Sequence, residues 1–209
     1  LASDLSSLDD ALHAYDGAFT HCTVATLSSF KNIRSPFFHA SAVDQDRVIQ
    51  AWHQSLTAAF ARTEGLLPFE LVFKSLETSP AATFLLADDA SKTIEGLRSA
   101  IKEAASTPVL SKLSAELEKK HGSAHPELCS LKEALHVPDI IHSTVMRLAA
   151  PPSDADRLAE GLAGLAMRWQ PATVRVAEIS LVYEKHPYMH LDREESEVRC
   201  YRLPFGSPL

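Results

Sequence analysis

The sequence predicts an α+β fold: two βαββ-like lobes about a pseudo-twofold axis, two antiparallel sheets forming a central cleft, and helices packed outside. Three observations predict it. The order His-x-Thr-Val occurs twice, as His21-Cys22-Thr23-Val24 and His142-Ser143-Thr144-Val145, each time with strand-like surroundings. Each copy is followed by a segment of helical period and then by two strand-like segments. The length of 209 residues suits one domain with a proper core, or two tightly joined lobes. The expectation is therefore a single bilobal domain, residues 1–209, with lobe elements at about 19–105 and 138–203 and a helical insertion at about 107–136.

The elements follow in order. Residues 1–16 are polar and acidic, with Leu5, Leu8 and Leu12 at helical spacing, so a short helix and a frayed arm both fit. Residues 19–27 read as the first strand, and 28–42 as a loop carrying Lys31, Arg34 and Pro36. From Asp44 the period changes: Val48, Ile49, Trp52, Leu56 and Phe60 share one helical face, and Gly65 stops the helix. Phe69, Leu71 and Phe73 alternate as a strand, Glu77-Thr78-Ser79-Pro80 has turn composition, and Ala82 to Leu86 return. Ser91 is a candidate cap for a helix with Ile94, Leu97 and Ile101 on its apolar face.

Residues 107–136 carry two polar helical runs, with Leu110, Leu113 and Leu117, then Leu128, Leu131 and Leu135. His121-Gly122-Ser123-Ala124-His125-Pro126 divides them, and the whole reads as an insertion or lid. A strand over 138–148 carries His142. Pro151-Pro152-Ser153-Asp154 opens a helix with Leu158, Leu162, Leu165 and Trp169 inward. Gly161 and Gly164 weaken it locally, and Pro171 ends it. Residues 173–183 and 197–203 read as a final pair of strands, joined by a polar loop from Glu184 to Ser196.

Composition excludes several functions. A net charge of −7 argues against a general basic surface for duplex DNA, though not against a local basic cleft. Cys22, Cys129 and Cys200 are too few and too far apart for a disulfide framework or a C-x-x-C zinc site. A cytoplasmic or other reducing compartment is the expectation. The chain begins at Leu1 rather than Met, so a targeting segment removed earlier would leave no trace. No apolar run is long enough to span a membrane, and a monomer is expected.

The paired motif carries the chemistry. In a strand, His142 and Thr144 project to one face, and Ile141, Ser143 and Val145 to the other. Two such copies converging would gather two imidazoles and two hydroxyls, a set suited to phosphodiester cleavage. Alone, the pattern is weak: His39-Ala40-Ser41 and His121-Gly122-Ser123 also fit it, and a strand histidine is ordinarily satisfied by a backbone carbonyl. His39 has no counterpart in the second half, and His121 sits in a helical break, so both are read as decoys.

With His21-Cys22-Thr23-Val24, His142-Ser143-Thr144-Val145 and the strand Phe69-Glu70-Leu71-Val72-Phe73, the chain resembles the 2H phosphoesterase superfamily over roughly residues 19–203. RNA-ligase-type cyclic phosphodiesterases and 2′,5′-phosphodiesterases related to kinase-anchoring proteins belong to it. The resemblance implies the 2H fold, catalytic His21, Thr23, His142 and Thr144, no cofactor, and a nucleotide or RNA-end substrate. The insertion at 107–136 departs from the compact members.

Histidine suits both proton transfers near neutral pH, because its unperturbed pKa is close to about 6.5. One neutral and one protonated imidazole would flank the phosphorus, while Thr23 and Thr144 donate to the non-bridging oxygens. No metal is required. Arg147, Lys185 and Arg34 are candidate cations for a phosphate, and Tyr183 a candidate stacking ring; surface charge and core packing are the ordinary readings of each. His186, Tyr188 and His190 lie in the loop after Tyr183, where a gate is conceivable.

Three rivals remain. His121 and His125 have i, i+4 spacing for a metal, but Gly122 and Pro126 spoil the helix and no H-E-x-x-H is present. A non-catalytic nucleotide or RNA-end binding module of the same fold is the alternative function, and it has no need of both imidazoles. A nucleophilic Ser or Cys hydrolase lacks a G-x-S-x-G, and in a strand Cys22 points away from His21.

Overall fold

A computed structural model describes residues 1–15, 21–28, 40–63, 65–79, 82–121, 131–183 and 199–203. Leu5, wholly buried, anchors the short helix α1 (Ala2–Ser6), and Leu12–Ala14 form strand β1. The N-terminal stretch is thus both a helix and a paired strand. Helix α2 (Ala42–Phe60) starts at Ser41, whose hydroxyl accepts the Asp44 amide (3.2 Å) and donates to the Asp44 carboxylate (2.8 Å). The first of these bonds satisfies one backbone donor that a helix start leaves unpaired, and the second orients the two side chains. Val48, Ile49, Trp52, Leu56 and Phe60 are all buried, as their spacing predicts.

Strands β2 (Phe69–Thr78) and β3 (Ala82–Asp88) form the predicted hairpin, and helix α3 (Thr93–Ala104) follows. Its start is not capped by Ser91. The Asp89 carboxylate accepts the Ile94 amide at 2.6 Å, and Ser91 is bonded to that same carboxylate. One carboxylate oxygen serves the turn at Ser91 and the other serves the helix start at Ile94. Helix α4 (Pro108–His121) buries Leu110, Leu113 and Leu117 in the main core and ties to α2 through Lys120 and Asp44 (2.7 Å). This part of the expected insertion is therefore core rather than lid; Leu128 lies outside the described residues.

Strand β4 (His142–Leu148) precedes helix α5 (Ala155–Arg168), which Asp154 caps by accepting the Arg157 amide at 3.0 Å. Leu158 and Leu162 are buried, and Trp169 Nε1 donates to Phe73 O at 3.1 Å. The stretch 173–183 is not one strand. It divides into β5 (Ala172–Val176) and β6 (Ser180–Tyr183), because the first pairs with β2 and the second with β7 (Arg199–Arg202) in another sheet.

The architecture is α+β, with a curled five-stranded antiparallel sheet in the order β1-β4-β3-β2-β5 and a two-stranded sheet β6-β7. Strands from the two halves of the chain interleave in the larger sheet. One face of it, with Phe69, Leu71, Phe73 and Ala87, packs on α2, α3 and α4. Leu76, Val145 and Met146 continue that face against α5 and Leu5. Among the described residues, the helices thus lie to one side of the sheet. Among the described residues, no helix is long and apolar enough to cross a membrane.

Candidate functional site

The expected first strand, 19–27, is not a strand in its described part. Residues 21–28 make one isolated antiparallel bridge, Thr26 with His136, through two hydrogen bonds of 2.8 Å. Residues 19 and 20 lie outside the described residues. Cys22 and Val24 still pack against the main core, and His21 and Thr23 are half-buried.

The second copy behaves as its alternation predicts, but its strand begins at His142 rather than at 138. Pro138 has no N–H to offer a ladder. His142, Ser143 and Thr144 pair with Leu86, Leu85 and Phe84. His142 and Thr144 therefore share a face with Phe84 and Leu86, while Ser143 is buried on the helix side. The Phe84 and His142 rings meet edge to face.

A bulge follows. The register shifts between Phe84 and Thr83, so that Met146 rather than Val145 lies opposite Thr83. Val145 and Met146 are both buried, and the extra residue returns Arg147 to the His142 face, opposite Ala82 and His13. His13 and Tyr15 stack edge-on there at 5.1 Å. Burial raises the Tyr15 pKa against the opposing pull of the Arg147 guanidinium.

His21 lies near enough to His142 to act on it electrostatically. The His142 pKa lies below its ordinary 6.5, first because of burial, then because of the charges of His21, Arg147 and Arg98. His142 Nδ1 is buried and has no hydrogen-bond partner among the described residues. Arg98 on α3 adds a link between the segments: its Nε donates to Val24 O (3.3 Å) and its Nη2 to Ile140 O (2.9 Å).

Of the other sequence candidates, Arg147 is on the histidine face. Tyr183 packs against the main core, and its hydroxyl donates to Gln45 Oε1 on α2 at 2.9 Å. Lys185, Arg34, His39, His125, His186, Tyr188 and His190 lie outside the described residues, as does the side chain of His121. Among the described residues, no group of three or more His, Cys, Asp or Glu side chains could hold a metal ion. The Cys22 thiol is pushed up to about 11 by burial. Two open hollows, about 590 and 440 Å³, are both lined in part by Arg98 and Asp139, but not by His21, Thr23, His142 or Thr144. His142 and Thr144 instead lie on the face of the curled sheet that turns away from the helices.

Sequence reasoning missed Phe84, Arg98 and Tyr15. Phe84 carried a readable signal, since it alternates with Leu86 on a predicted strand; Arg98 carried none, being one more polar residue on a helix. Comparison with known proteins yields no match to a family model, a curated protein or a solved structure.

Proposed function

We propose that the protein is a metal-independent phosphodiesterase of the two-histidine type, cleaving cyclic phosphates or RNA-type phosphodiesters such as 2′,3′-cyclic nucleotides or 2′-5′ linkages. One observation carries the reading: His21 and His142, from distant parts of the chain, lie within electrostatic reach of each other, with Thr144 on the His142 face. The bilobal pseudo-twofold form of the fold belongs to the same proposal; the chain has two antiparallel sheets, the larger of which combines strands from both halves.

The depressed pKa of His142 favours it as the base, and His21 then serves as the acid. Because Nδ1 is buried, Nε2 of His142 is the nitrogen left for proton transfer. With a 2′,3′-cyclic phosphate, water attacks phosphorus as Nε2 takes its proton. The bond from phosphorus to one ring oxygen breaks, and His21 protonates that oxygen. The product is a ribose phosphomonoester with one hydroxyl restored. Thr23 and Thr144 donate to the non-bridging oxygens, and Arg147 adds positive charge on the same face. With a 2′-5′ linkage, the neighbouring ribose hydroxyl takes the place of water.

The test is hydrolysis of 2′,3′-cyclic nucleotides and 2′-5′ oligoadenylate in EDTA by wild type, His21→Ala and His142→Ala. Wild type turns over, and each substitution lowers kcat by about 10²–10⁴-fold. Wild-type rates in both variants, or loss of all activity in EDTA, would sink the reading.

A further inference from the structure

We propose that Arg98 is a positioning residue for the histidine pair: one guanidinium holds the backbone that follows His21-Cys22-Thr23 and the backbone that leads into His142 at a fixed separation. The inference rests on the two-histidine reading and supplies what fixes its geometry. Val24 immediately follows Thr23, and Ile140 stands two residues before His142. Neither lies in a strand: residues 21–28 have one bridge, at Thr26, and β4 starts only at His142. Their own carbonyls therefore lack ladder partners, although Ile141, next after Ile140, already accepts the Ala87 amide of β3 at 2.8 Å. Arg98 takes their place. Its Nε and Nη2 lie on one edge of a rigid plane, and each donates to one of the two carbonyls.

The clamp has a firm base. On α3, the neighbouring Leu97 is wholly buried, and Ile94 and Ile101 are buried as well, so the root of the Arg98 side chain is fixed by the core. Among the described residues, the other backbone tie between the two segments is the Thr26–His136 bridge. A single bridge fixes the backbone at Thr26, and core packing of Cys22, Val24 and Leu27 holds the segment against the helices, but neither sets its distance from the strand that bears His142. Arg98, bonded to Val24 O and Ile140 O, sets that distance. Proton transfer through two groups requires both at their places at once, and an error of about 1 Å can lower the rate by roughly 10²-fold.

Lysine retains the charge and is a good helix former, but it lacks the two-donor edge. Arg98→Lys separates geometry from charge, and Arg98→Gln serves as the second variant, with circular dichroism confirming the fold of each. The charges acting on His142 are those of His21, Arg147 and Arg98. The first readout needs no activity: the shift of the His142 NMR titration caused by His21→Ala, measured in the wild-type and Arg98→Lys backgrounds. A clamp makes this coupling shrink when Arg98 is replaced; full retention of the coupling overturns the proposal. The second readout is turnover of a 2′,3′-cyclic nucleotide, where kcat falls about 10-fold or more with KM little changed, and methylguanidinium restores rate to Arg98→Gln but not to wild type. Unchanged kcat in a wild type that turns over also overturns the clamp. A wild type without turnover sinks the phosphodiesterase reading instead, and the coupling alone then decides on Arg98.

Discussion

The Phe84 ring stands edge-on to the imidazole of His142, with centroids 5.5 Å apart and planes at 68°. The pair lies diagonally across the β3–β4 ladder, since Phe84 itself pairs with Thr144. The aromatic edge keeps water from one side of the imidazole, and burial is the first cause of the lowered pKa of His142. Phe84→Ala admits water, so the His142 titration moves up toward 6.5 by NMR. The acid limb of a kcat/KM–pH profile moves up with it. An unmoved titration would show that the desolvation comes from elsewhere.

Thr144 offers a clean separation of shape from hydroxyl chemistry. Thr144→Val keeps the β-branch and loses the donor, so kcat falls by about 10²–10³-fold if the hydroxyl serves the charged oxygens. Thr144→Ser keeps the donor and retains most of the rate. Equal losses in both variants would assign Thr144 to packing alone.

Stability should carry the imprint of His142. Its native pKa is below its unfolded value of 6.5, so between the two values the unfolded chain binds the extra proton. The contribution is fully present above 6.5, declines as pH falls below it, and is lost once pH passes the native pKa. Urea unfolding from pH 8 to 5 should therefore show a smaller acid decline for His142→Leu than for wild type, the difference opening below 6.5. Parallel declines would mean that the two states titrate alike at this residue.

Cys22 stands between His21 and Thr23 but is held out of their chemistry. With its thiol pushed up to about 11, the thiolate is scarce at neutral pH. Iodoacetamide at pH 7.5 should leave the Cys22 peptide largely unmodified by mass spectrometry and label it fully after denaturation. Cys22→Ala should retain near-wild-type kcat, with any loss appearing in stability. A collapse of kcat would reopen the thiol as a nucleophile.

Periodicity made much of this legible. The faces of α2 and α3 can be read from single positions such as Trp52 and Leu97, because burying an apolar stripe is nearly all that decides those helices. The hairpin from Phe69 and the alternation of His142 with Thr144 were legible for the same reason. What escaped was tertiary. The residues from 173 to 183 look like one strand, since nothing local marks where Val176 leaves one sheet and Ser180 enters another. The bulge at Val145 is invisible in a run of strand formers, yet it decides which face Arg147 takes. Arg98 and Asp89 act on groups of the backbone, which every sequence carries and no motif records.

The interleaved sheet also dictates the order in which the chain can become whole. β1, near the N-terminus, pairs with β4, and β2 pairs along its outer edge with β5. A nascent chain ending before β4 thus has a hairpin with both edges bare, and the core made by Leu5 with Leu158 and Leu162 does not yet exist. Such a sheet closes late, through pairings of long sequence separation, and these are the slow steps of folding. The His21 and His142 segments are joined only in that last assembly, so their juxtaposition arrives with the completed fold and cannot be reproduced by either half expressed by itself.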